Sequence, residues 1–108
     1  MTATLHLVSI TCIEQQEFFG DELYLTFNGQ KISLPNMTTG RTTSLSGDHQ
    51  FEGSASLSLF ENDGDHWYDR DDHIGSRVIS ETQAPGDVPL DFEGSQAHYV
   101  LVVAVTPG

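Results

Sequence analysis

Apolar and polar side chains alternate at every second position in several short runs along this chain, which is the spacing of half-buried β-strands and not of helices. Residues 54–60 (SASLSLF) place Ala55, Leu57 and Leu59 on one face and three serines on the other. Residues 22–27 (ELYLTF) do the same with Leu23, Leu25 and Phe27, and Asn28-Gly29 then leads into residues 30–34 (QKISL). Asn-Gly between two such runs predicts a tight hairpin, because both residues tolerate positive φ. Residues 4–13 (TLHLVSITCI) carry apolar side chains on both faces, which predicts a first core strand covered on both sides. Residues 97–106 (AHYVLVVAVT) are nearly continuously apolar and predict a central strand. Shorter strands are expected at 42–45, 76–80 and 88–92, the first of them at an edge.

No window holds helical spacing long enough for a helix, and strands recur about every ten residues with turn residues between them. The expectation is an all-β fold, an antiparallel two-sheet β-sandwich of about seven or eight strands. The length of 108 residues suits one domain over 1–108, without an internal repeat or a low-complexity linker.

Charge changes the picture. Sixteen Asp and Glu face four Lys and Arg, a formal net charge of −12, which repels phosphate backbones and makes nucleic acid a poor partner. Ten of the acids fall in two short windows: Glu14, Glu17, Asp21 and Glu22, then Glu61, Asp63, Asp65, Asp69, Asp71 and Asp72. Crowding carboxylates in this way costs repulsion unless a cation or protonation offsets it. Calcium takes six to eight hard oxygens from flexible loops, and two acidic loops at one end of a sandwich would supply them. The plainer alternative is a solvated, repelling loop surface.

The segment 57–76 (LSLFENDGDHWYDRDDHIGS) runs from a strand into this acidic stretch and ends in Asp-His-Ile-Gly. It resembles the calcium loop of the C2 domain family, in which D-x-D follows a strand and a second aspartate opens a D-F-I/L-G motif before the next one. The resemblance implies an eight-stranded C2-like sandwich, for which 108 residues is slightly short, and places Glu61, Asp63 and Asp72 on ligand positions, Glu61 standing where the family has Asp. Residues 20–29 (GDELYLTFNG) resemble the family's S-D-P-Y-V strand opening, which puts Asp21 on the first loop's ligand position; the earlier acid of that loop is Glu14 or Glu17. Asp65 and Asp71 complete the second set of candidates. The aromatic pairs Phe18-Phe19 and Trp67-Tyr68 lie in the same windows and resemble the apolar loop tips with which the family meets membranes once calcium has neutralised the acids. The same rings would equally close the end of the sandwich as core material.

Other chemistries fit less well. Read as an EF-hand, Glu61 in first place puts His66 where glycine is needed, and strands flank the loop. His66 and His73 share the second acidic window, where hydrogen bonding to a carboxylate is the ordinary expectation and zinc ligation the alternative. Cys12 is the sole cysteine, expected to be a buried inert thiol. No Gly-x-Ser-x-Gly elbow, phosphate-cradling glycine loop or His-Glu-x-x-His helix is present, so an enzyme is not expected. The expectation is a calcium-binding module docking on a lipid or protein surface; the alternative is a structural subunit that assembles into a homo-oligomer through exposed edges or aromatic patches. Without a basic-then-apolar leader or an apolar run of membrane-spanning length, the expected location is cytoplasmic, or outside the cell by non-classical export.

Overall fold

The parity of the first strand shifts half-way along it, and that shift explains its apolar residues on both faces. Strand β1 (Thr2–Glu14) buries Ala3, Leu5 and Leu7, all odd, and then Ile10 and Cys12, both even. Its pairing with the last strand slips between Leu7 and Ser9, a β-bulge that inserts Val8 and returns the second half of the strand to the same inner face. The expectation of a strand covered on both sides is therefore corrected: β1 has one core face, addressed in two registers. The computed structural model describes residues 2–16, 20–62 and 71–108.

Eight further strands follow among the described residues: β2 (Leu23–Phe27), β3 (Gln30–Ser33), β4 (Thr42–Ser44), β5 (Asp48–Glu52), β6 (Ser54–Glu61), β7 (Asp72–Ser80), β8 (Asp87–Gly94) and β9 (Ala97–Pro107). One sheet runs β4-β1-β9-β8, with β5 also on β1, and the other runs β3-β2-β6-β7. All pairings are antiparallel. Nine strands instead of seven or eight follow from one divided edge. β4 pairs with Ser9 to Thr11 and β5 with Thr2 to His6, and the link between them keeps backbone bonds to β1 through Leu45 N–H to Val8 O (2.8 Å) and Leu7 N–H to Gly47 O (3.0 Å).

Leu25, Leu57, Leu59, Ile10, Leu101 and Tyr99 lie wholly buried between the sheets. β9 is central, as its composition predicts, yet its outward side chains His98, Val100, Val102 and Ala104 are only half-buried. The Asn28-Gly29 hairpin forms with φ of 48° and 87°, and the Asn28 side chain accepts the Ser56 N–H at 2.8 Å, tying the turn to β6.

The edges β7 and β8 close onto each other across the sandwich. A Cβ on Gly94 would stand 2.4 Å from the Ile74 carbonyl oxygen, and one on Gly75 would stand 3.3 Å from Phe92 Cα. Only glycine admits such an approach of backbone to backbone. The Asp-His-Ile-Gly segment thus has a structural reason of its own. Ile74 is the buried extra residue at a bulge between β6 and β7, and Gly75 makes room for Phe92.

Candidate metal centre

The end of the sandwich where β1, β6 and β9 meet the first and second acidic windows is knitted by backbone and side-chain bonds. Gln15 N–H donates to Thr39 Oγ1 (3.0 Å) while Thr39 N–H donates back to Gln15 Oε1 (2.8 Å). Asp21 and Met37 exchange backbone bonds at 2.8 and 3.0 Å, and Gly40 N–H reaches Cys12 O at 2.8 Å. The segment leading into β4 therefore braces the one leading into β2. That bracing gives Asp21 a fixed backbone.

Asp21 is completely buried. Its carboxylate accepts the Gln16 N–H at 2.9 Å and the hydroxyl proton of Tyr99, a buried residue of β9. A buried carboxylate needs such donors, because desolvation without them disfavours the charge strongly. Burial, reinforced by the bond to Asp21, pushes the Tyr99 hydroxyl far up, so it stays a neutral donor. Burial likewise pushes the Cys12 thiol up, against a hydrogen bond to Tyr99, and the thiol is buried as expected.

The second window contributes Glu61 and Asp72, which end β6 and begin β7 and face each other across the ladder. Glu61 is buried at 2% exposure and Asp72 is half-buried. Asp72 is therefore a strand residue; β7 starts four residues before the predicted strand at 76–80, because Ile74 anchors the extension in the core. The Gln16 carboxamide nitrogen donates to Asp72 Oδ2 at 2.7 Å and to the Ser95 carbonyl at 2.8 Å, while the Gln16 backbone holds Asp21. One residue thus joins the two acidic windows, whose members Gln16 and Asp72 are 56 positions apart. Asn62 N–H adds a bond to Glu22 O at 2.7 Å.

Of the residues singled out from sequence, Asp21 and Asp72 are each bonded to Gln16 at this end, and Glu61 stands opposite Asp72 in the ladder. Asp71 is exposed and accepts the Tyr24 hydroxyl at 2.5 Å, on the outer side of the β3-β2-β6-β7 sheet. Burial, with that bond second, pushes Tyr24 up to about 12. Glu14 is exposed at the end of β1, opposite His98, and the contacts of Asp21 and Asp72 run to Gln16 instead. His73 bonds Ser76 Oγ at 2.8 Å with its ring 5.1 Å from that of Phe60, so the expected carboxylate partner is corrected to a nearby hydroxyl. Glu17, Phe18, Phe19, Asp63, Asp65, His66, Trp67 and Tyr68 lie outside the described residues.

Among the described residues no group of three or more His, Cys, Asp and Glu side chains is assembled that could hold a metal ion. The oxygen donors are nevertheless of the kind calcium takes, carboxylates with a backbone carbonyl, and they fit it better than a transition metal. Gln16 Oε1 adds a carboxamide oxygen that is buried without a hydrogen-bond partner among the described residues. Gln16, Tyr99 and Ser95 were not legible as site residues. Gln16 is uncharged in an acidic window, and Tyr99 is hidden in an apolar run as its single ring with a hydroxyl.

No family profile matches the chain. No curated protein matches it in sequence. Solved structures do match in shape. A structure described as that of a C2 domain superposes with a TM-score of 0.57 at 10% identity, over 98% of each chain. A C2 domain of a plant extended synaptotagmin 1 gives 0.60 at 6% identity, covering 99% of this chain and 95% of that one. Human GIVD cytosolic phospholipase A2, solved with a fluorophosphonate inhibitor and terbium chloride, gives 0.58 at 14% identity over 96% of this chain. This chain spans 17% of the phospholipase's length. With its two antiparallel sheets, the chain has a C2-like β-sandwich fold.

Proposed function

We propose that this chain is a non-enzymatic calcium-binding module of the C2 type that docks through its acidic end on a lipid or protein surface. The observation that carries the reading is the Gln16 bridge, which brings Asp21 and Asp72 from separate acidic windows to one end of the sandwich, with Glu61 beside Asp72. At a net charge of −12, carboxylates brought to the same end of the sandwich gain from a divalent cation. Asp21, Glu61 and Asp72 would each lend it oxygens, and because no three such side chains among the described residues are assembled to hold a metal by themselves, the reading also requires Asp63 and Asp65 of the intervening sequence. A phospholipase with a region of the same fold was solved with terbium chloride, the salt of a hard cation, which supports the same choice of ion class here.

Docking would then rest on the aromatic pairs Phe18-Phe19 and Trp67-Tyr68 together with the neutralised acids. Four Lys and Arg make no polybasic patch, so attraction to anionic lipid is not the driving force. Vesicle sedimentation tests this directly. Phosphatidylcholine vesicles should carry the protein down in calcium and leave it in the supernatant in chelator, and Trp67→Ala should abolish the effect. Equal partitioning with and without calcium would contradict calcium-dependent docking on lipid.

A further inference from the structure

Gln16 is placed as no purely structural surface glutamine needs to be. Two oxygen acceptors from separate parts of the chain, Asp72 Oδ2 at the start of β7 and the Ser95 carbonyl in the turn between β8 and β9, converge on its single carboxamide nitrogen at 2.7 and 2.8 Å. The amide orientation is fixed by that chemistry, since the reverse would set its oxygen against a carboxylate and a carbonyl. The partial positive charge of the NH2 group thus sits where two hard oxygens, one of them ionised, point together. The same orientation has a cost: Oε1 is buried with no hydrogen-bond partner among the described residues, and a desolvated acceptor without a donor is unfavourable. The backbone N–H of the same residue is committed to Asp21, so the side chain can turn while the main chain stays anchored.

We propose that the Gln16 carboxamide is a two-position latch: its nitrogen ties Asp72 to Ser95 when no cation is bound, and its oxygen turns inward as a ligand when a divalent cation is. This rests on the calcium reading above and adds to it the residue that stands in for the ion. The latch lowers the electrostatic cost of the empty site, and it makes cation binding an exchange of one set of contacts for another. The unsatisfied oxygen is the feature that distinguishes a latch from a strut, because a strut gains nothing from burying it.

The test uses the whole chain, labelled with nitrogen-15, with Gln16→Met identifying the Gln16 side-chain amide signals. Calcium should move those signals well beyond the signals of Gln50 and Gln96. Gln16→Met should weaken calcium binding at least about tenfold in a calorimetric titration, because an oxygen ligand is lost. Gln16→Glu should melt lower than the parent in chelator, from repulsion against Asp72, and show a larger calcium-induced rise in melting temperature. If the parent binds calcium while its Gln16 signals stay put and Gln16→Met binds equally well, the latch is overturned and the calcium module stands. If the parent gives no heat with calcium, both fall together.

Discussion

The Tyr99 hydroxyl donates to the carboxylate of Asp21, a residue 78 positions earlier in the chain, and both side chains are completely buried. The bond joins the central strand of one sheet to the segment that enters the other, so the acidic end is braced by a contact between the layers. A hydrogen bond to a buried charge is among the stronger kinds, because losing it leaves the carboxylate underpaired. Tyr99→Phe should therefore destabilise the fold by about 1.5–3 kcal/mol, measured by urea unfolding monitored by circular dichroism. A loss within about 0.5 kcal/mol, the scale of ordinary surface substitutions, would show that Asp21 finds other donors.

Gly94→Ala should cost about 1–3 kcal/mol, as overpacking does, since the new methyl meets a backbone oxygen that cannot rotate away. Gly53→Ser is the control for steric room, having nothing within 4 Å of the added Cβ, although its φ of 72° makes a smaller cost expected there as well. Thermal melting of the two variants side by side checks the order. A milder loss at Gly94 than at Gly53 would contradict the close approach of β7 and β8.

Leu101→Ala removes a wholly buried side chain from the middle of β9 and should cost about 2–5 kcal/mol. Val78 is 70% exposed on β7, and Val78→Ala should stay within about 0.5 kcal/mol. Urea midpoints of the pair decide the point, and a large loss at Val78 would mean that its face is covered in solution.

Tyr24 titrates near 12, raised first by burial and then by its bond to Asp71. Its folded value lies above the value of about 10 expected for an unfolded tyrosine. The sign follows: the contribution is fully present below about pH 10 and is lost as pH rises toward 12. Absorbance titration at the tyrosinate band should show a step near pH 12 that Tyr24→Phe removes, together with a flatter dependence of stability on pH between 10 and 12. A step unchanged by Tyr24→Phe would assign it to another tyrosine.

Much of this architecture was legible in the spacing of side chains, and the failures have separate physical causes. The alternation in β2 and β6 and the Asn28-Gly29 turn read directly, because each buries one face and the turn needs positive φ at both residues. β1 misled because period-two reasoning assumes an unbroken register, and the bulge at Val8 makes one face look like two. β5 went unread because only Phe51 in its Asp-His-Gln-Phe-Glu sequence is buried, an edge strand held by backbone bonds more than by packing. At the site, carboxylates announce themselves by clustering, so Asp21, Glu61 and Asp72 could be singled out. Gln16 and Tyr99, which hold Asp21 and, through Gln16, Asp72, are ordinary residues whose roles come only from partners 5 to 78 positions distant.

The claim on which the function depends is that both acidic windows serve one ion. Calorimetric titration of the chelator-treated protein with calcium, repeated on Asp21→Asn and on Asp72→Asn, tests it most directly. Heat of binding is expected for the parent, with affinity weakened at least about tenfold by each substitution, since each removes a charged oxygen ligand. Absence of any calcium heat in the parent, or a loss confined to one of the two substitutions, would contradict it.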